Sequence, residues 1–187
     1  MRQHYHEELD DINNCLVEMA NSVGSAMSKA TTALLDADIE LANLVIEGDD
    51  RIDATRESIE QRCFNMLARQ APVATDLRTI TAAMRIISDL ERMGDLAVHV
   101  AKLARMRFPE HAVPQELRPI FLEAGHVAES LVSQTATVIA KLDVEAAAAL
   151  EAEDDLMDQL HRQLFSELLS KDWPPPCRAA SPCPAAR

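Results

Sequence analysis

A chain of 187 residues with 48% hydrophobic residues, 3% aromatics and only 4 glycines can bury a core without covalent staples, and its balance favours Ala/Leu-rich helices over strands. A formal net charge of -13 excludes duplex nucleic acid as a partner, because binding phosphates requires a surplus of Lys and Arg. The expected class is all-α, with cations and basic protein surfaces as suitable partners.

The opening residues Arg2, Gln3, His4, Tyr5, His6, Glu7 and Glu8 contain no apolar signal core. No later stretch supplies the roughly 18 uninterrupted apolar residues of a membrane span, so the expected compartment is the cytoplasm. From His4 to about Leu35, Leu9, Ile12, Leu16, Met19, Val23, Met27, Ala30 and Leu34 recur at steps of three and four, the stripe of a long amphipathic helix. Asp36, Ala37 and Asp38 break it. A second helix is expected from Asp38 to Gln70, with Leu41, Val45, Ile52, Ile59, Cys63 and Met66 inward.

Proline is tolerated in a first helical turn, so Pro72 is expected to open a third helix reaching Phe108. Pro109, Pro114 and Pro119 bracket the connection to a fourth helix, about Ile120 to Leu142, and a fifth follows from Asp143 to Lys171. Cys15 and Cys63 fall at apolar helical positions and read as buried thiols. Cys177 and Cys183 lie in a tail, and no Cys-x-x-Cys spacing occurs.

An internal repeat lies at an offset of 105 residues, with Asp38 to Phe64 laid over Asp143 to Leu169 without a gap. Asp38, Glu40, Asp49, Asp50 and Asp53 fall on Asp143, Glu145, Asp154, Asp155 and Asp158. The core positions Val45, Ile52, Ile59 and Phe64 fall on Leu150, Met157, Leu164 and Leu169. A second helix like the third should then follow residue 177. Instead, Pro174, Pro175, Pro176, Pro182 and Pro184 forbid a regular helix and predict an extended or disordered tail.

On the third helix Leu77, Ile80, Met84, Ile87, Glu91, Gly94, Val98 and Ala101 form one seam, interrupted by Glu91 and Gly94. A carboxylate on a core line must be paired, neutralised or bound to a cation, and a glycine beside it admits a close neighbour. Asp95 lies four residues beyond Glu91 and His99 four further. The second helix offers a matching ladder in Asp49, Asp53 and Glu57. Two facing acidic ladders repel, and a cation held by oxygen ligands removes the repulsion. The plainer reading is a set of solvated faces, or ion pairs to Arg78, Arg85 and Arg92, which recur every seven residues. His99 reads more simply as packed or exposed. No Gly-rich phosphate loop, nucleophile turn or Glu-x-x-His pair supports catalysis.

The segments Gln-Ala-Pro-Val-Ala-Thr-Asp-Leu-Arg at 70 to 78, Asp-Leu-Glu-Arg-Met-Gly-Asp at 89 to 95 and Glu-Gly-Asp-Asp-Arg-Ile-Asp at 47 to 53 resemble the PhoU family of bacterial phosphate-signalling regulators in order and spacing. The resemblance covers about residues 3 to 171. It implies two tandem antiparallel three-helix bundles, the second incomplete: residues 1–110 as the first, 111–171 as a truncated second with two helices, and 172–187 as a Pro-rich tail.

It also implies a multinuclear iron or zinc cluster on Glu/Asp-x-x-x-Asp motifs. Glu91 and Asp95 match that motif here, as do Asp49 and Asp53 with Glu57 next on the ladder, and Asp154 and Asp158 in the second repeat. The implied role is a non-catalytic, cytoplasmic negative regulator of the phosphate-starvation response. Such a regulator, expected as a homodimer, connects the ATPase of the phosphate ABC transporter to a sensor histidine kinase and meets the membrane only through these partners.

The family's sixth helix, with its second Glu-Arg-x-x-Asp motif, is replaced by the tail after Trp173. A reading-frame slip in G+C-rich DNA would give this composition, and a true variant is the alternative. Its loss leaves an apolar groove on helices four and five, suited to dimerisation, and confines the expected metal mainly to the first repeat. The competing functional classes are a carboxylate-bridged metal enzyme and a metal-free helical scaffold.

Overall fold

The computed structural model describes residues 2–170, in which five long helices occur in the order α1 Arg2–Asp36, α2 Ile39–Gln70, α3 Thr75–Arg107, α4 Arg118–Lys141 and α5 Val144–Leu168. The expected all-α class holds throughout these residues. The Pro-rich tail, with Trp173, Cys177 and Cys183, lies outside the described residues.

The two sharpest corners are copies of one another. Asp38 caps α2 from an extended conformation (φ -87, ψ 103), and its carboxylate accepts from the amides of Glu40 and Leu41 at 2.9 and 3.0 Å. Asp143 caps α5 with φ -85 and ψ 103, accepting from Glu145 and Ala146 at 3.0 Å each. Each cap follows a residue in the left-handed region, Ala37 at φ 54 and Leu142 at φ 52. The Asp38 and Asp143 amides donate back to the carbonyls of Ala33 and Val138. The short Asp side chain satisfies amides that a helix start leaves orphaned, so the shared Asp cap, with Glu two residues on, produces the same turn twice.

Pro72 does not open α3. Ala71 ends α2 in the left-handed region (φ 41), Pro72 occupies the connection, and α3 starts at Thr75 behind Ala74. The first helical bond of α3 runs from the Arg78 amide to the Ala74 carbonyl, so the proline's missing N–H is spent in the connection. Pro119, assigned by the sequence to the preceding connection, instead sits in the first turn of α4.

Helix α1 is central. It packs against α2 and α3 and also against α4, while among the described helices α5 packs against α4 alone. One core joins Ile12, Leu16, Met19 and Val23 of α1 to Ile52, Ile59 and Cys63 of α2, Ile80, Ile87 and Leu90 of α3, and Val132 and Ile139 of α4. The second joins Ala30, Leu34 and Leu35 to Ala42, Val45, Ala97, Ala101, Val127 and Leu160. The C-terminal half of α4 thus meets the N-terminal half of α1, and the cores divide by height along the helices rather than by repeat.

The α1–α4 crossing is tight, because a Cβ built on Gly125 would overlap the Thr31 methyl. At its end, the otherwise orphaned Leu35 carbonyl accepts from Arg118 and from His111 Nδ1, while Arg118 Nη2 pairs with Asp36 at 2.9 Å. Val113 and Leu117, both buried, tie the connection before α4 into the second core.

Candidate acidic site between α2 and α3

Where α3 crosses α2, Gly94 is buried, and a Cβ there would lie 3.3 Å from Ile52 Cδ1 and 3.9 Å from Val23 Cγ2. The missing side chain lets the two backbones approach. Ile52 sits between Asp49 and Asp53, and Gly94 immediately precedes Asp95, so the close crossing carries three carboxylates to one edge. The Asp49 carboxyl is pushed above its ordinary value, first by partial burial, then by the negative charges of Asp53 and Asp95. Lys102 acts on Asp49 in the opposite sense.

The seam expectation needs correction at Glu91. It is half-buried, and Leu90, 3% exposed, takes the core position beside it, while Leu77 is 41% exposed. The buried face passes through Ile80, Ala83, Ile87, Leu90, Gly94, Ala97, Val98, Ala101 and Ala104, so it keeps the three-and-four spacing and shares Ile80, Ile87, Gly94 and Ala101 with the expected seam, but its intermediate positions are Ala83 and Leu90 rather than Met84 and Glu91. No polar or charged side chain among the described residues is fully buried. Glu91 borders the groove rather than standing in the core.

Asp53, Glu57 and Asp95 are exposed, as is His99. Asp49, Asp53 and Asp95 are brought within electrostatic reach of one another, whereas Glu57 and Glu91 do not act on Asp49. Asp154 and Asp158 are exposed on α5, where no further described helix faces them. Among the described residues no three His, Cys, Asp or Glu side chains stand close enough to hold one metal ion. The arginine alternative also fails as written, since Arg78, Arg85 and Arg92 are exposed and make no ion pair among the described residues. On α2, Arg56 pairs with Glu60 at 3.2 Å, and its Nε is buried and unpartnered.

Sequence reasoning missed Lys102. Its signal was present: it lies seven residues beyond Asp95, two turns along the same edge of α3. The arrangement suits a cation in charge, since the negative charges of Asp53 and Asp95 add to one another at Asp49.

The PhoU domain family matches residues 16–104. The chain is 46% identical over 173 residues to the phosphate-specific transport system accessory protein PhoU homolog 2 of Mycobacterium tuberculosis, covering 92% of this chain and 81% of that protein. It is 44% identical to PhoU homolog 1 of Mycobacterium leprae, covering 78% of that protein. The crystal structure of PhoU from Pseudomonas aeruginosa superposes with a TM-score of 0.79 at 30% identity, covering 88% of this chain and 78% of that one.

Proposed function

This chain belongs to the PhoU family, and on that premise we propose that it is a non-catalytic accessory and regulatory protein of phosphate transport. In this reading it works in the cytoplasm as a negative regulator of the phosphate-starvation response, connecting the ATPase of a phosphate ABC transporter to a sensor histidine kinase. The observation that carries the reading is the 46% identity over 173 residues to a phosphate-specific transport accessory protein, spread across both repeats. No helix among the described residues is long and apolar enough to cross a membrane, which agrees with a regulator that reaches the membrane through partners.

Deleting the gene and measuring phosphate-regulated transcription in replete phosphate tests it. Derepression that the full chain reverses is expected. Unchanged expression in the deletion strain sinks the regulatory role.

The same reading assigns iron or zinc to the acidic edge of Asp49, Asp53 and Asp95, with Glu91 and Glu57 bordering it. In charge the residues fit a cation, because Asp49 is raised by partial burial and then by the negative charges of Asp53 and Asp95, and a bound metal would offset those charges. A bound ion would supply positive charge there, and these side chains would supply oxygen ligands. Asp154 and Asp158 form one wall only, so metal is assigned to the first repeat. Elemental analysis of protein purified without chelator, beside an Asp49→Ala, Asp95→Ala variant, checks this: metal in the parent protein that the variant loses is expected, and near-zero metal in both leaves the metal-free scaffold.

A further inference from the structure

Between α1 and α2 runs a groove of about 500 Å³ that no residue of α3, α4 or α5 lines. Its volume falls within the range of roughly 300 to 1,000 Å³ usual for small-molecule sites. The floor is apolar, made by the buried Met19, Val45 and Ile52, and Leu44, 58% exposed, stands at the edge. Gly48 keeps the space open, since a Cβ there would meet no atom within 4 Å.

The rim is cationic although the chain carries a net charge of -13. Lys29 of α1 and Arg51 of α2 line the groove with the Ser25 hydroxyl and the Asn21 amide, and no aspartate or glutamate does. These four side chains are exposed and make no hydrogen bond or ion pair among the described residues. The two other hydroxyls of the groove are already engaged, Ser22 donating to the Glu18 carbonyl at 2.9 Å and Thr55 to the Arg51 carbonyl at 2.8 Å. Glu18 and Glu47 lie one helical turn from Ser22 and Arg51 but pair with neither cation, and Glu129 shares with Lys29 only the adjoining α1–α4 groove.

Four free donors around an opening without acids select an anion, and two cations favour the dianion of a phosphate monoester over a single charge. The apolar floor and Leu44 call for a ring or other apolar body that inorganic phosphate and sugar phosphates lack. We propose that the α1–α2 groove binds an organic phosphate of nucleoside-monophosphate size, its phosphate held by Lys29 and Arg51 and its ring laid over Leu44 and the floor.

Calorimetric titration of the full chain with AMP in the presence of chelator tests this, because chelator keeps cations off Asp49, Asp53 and Asp95, where they could hold a nucleotide instead. Saturable binding is expected, and rising salt should weaken it. Lys29→Glu with Arg51→Glu should weaken it at least about tenfold, and these exposed side chains do not support the core. Gly48→Leu plugs the groove without displacing a packed neighbour, so binding should be lost while circular dichroism is unchanged. Adenosine and inorganic phosphate, each with one half of the ligand, should bind at least about tenfold more weakly than AMP. No saturation, undiminished binding by the charge-reversed variant, or an affinity for adenosine or inorganic phosphate equal to that for AMP overturns the proposal.

Discussion

Truncating Ile59 and its repeat counterpart Leu164 to alanine removes three carbons from each of two positions that the sequence makes equivalent. At full burial those carbons are worth about 0.8 kcal/mol each, and the closed site under α3 adds a cavity term, so Ile59→Ala should cost about 3.5 kcal/mol. Leu164 is half-buried at an open edge, where truncation leaves a notch that water fills. About half the transfer term and no cavity term gives roughly 1.2 kcal/mol for Leu164→Ala. Urea unfolding followed by helical circular dichroism resolves a difference of about 2 kcal/mol as a separation of midpoints at unchanged slope. Equal losses for the two variants would refute the reasoning, since they would mean either that α5 is covered in solution or that α3 does not seal Ile59.

Asp49→Asn should stabilise chelator-treated protein at neutral pH. A folded carboxyl held above its unfolded value contributes stability that is complete below the unfolded value and is lost as pH rises through the folded one, so the advantage of the variant should grow from about pH 4 to pH 7; a flat difference contradicts the crowding of Asp53 and Asp95. Gly125→Ala forces a methyl into Thr31 at the α1–α4 crossing and should cost about 1 to 3 kcal/mol in thermal or urea unfolding, with little change expected from alanine at Gly48, which has open space around it. Asp38→Ala and Asp143→Ala each remove a two-amide cap and should each cost about 1 kcal/mol, and a clearly unequal pair would mean that the two corners are not energetic copies.

Much of this architecture was legible in the chain. Apolar spacing located all five helices, because burying one stripe of a helix requires that spacing wherever the partner comes from. The 105-residue repeat foretold the twin corners, since an Asp cap acts over three residues and depends on nothing distant. The candidate site was half legible. Asp49, Asp53 and Asp95 converge as their spacing suggested, but Glu91 was misplaced because Ile80, Ile87, Gly94 and Ala101 are compatible with two three-and-four stripes, and the packed one runs through Leu90 rather than Glu91. Lys102 escaped notice because the sequence does not say which residue of α3 stands opposite Asp49.

The sequence by itself therefore determined what is local or periodic: helix type, caps, the repeat and the acidic ladders. Only tertiary structure decided that α1 lies at the centre, that the cores split by height and that α5 has one neighbour among the described helices. A stripe specifies that a face must be buried but not against what. That choice is made where helices come close enough to pack, as Gly94 allows at Ile52 and Gly125 at Thr31, and it sets which acids crowd together and which face remains open.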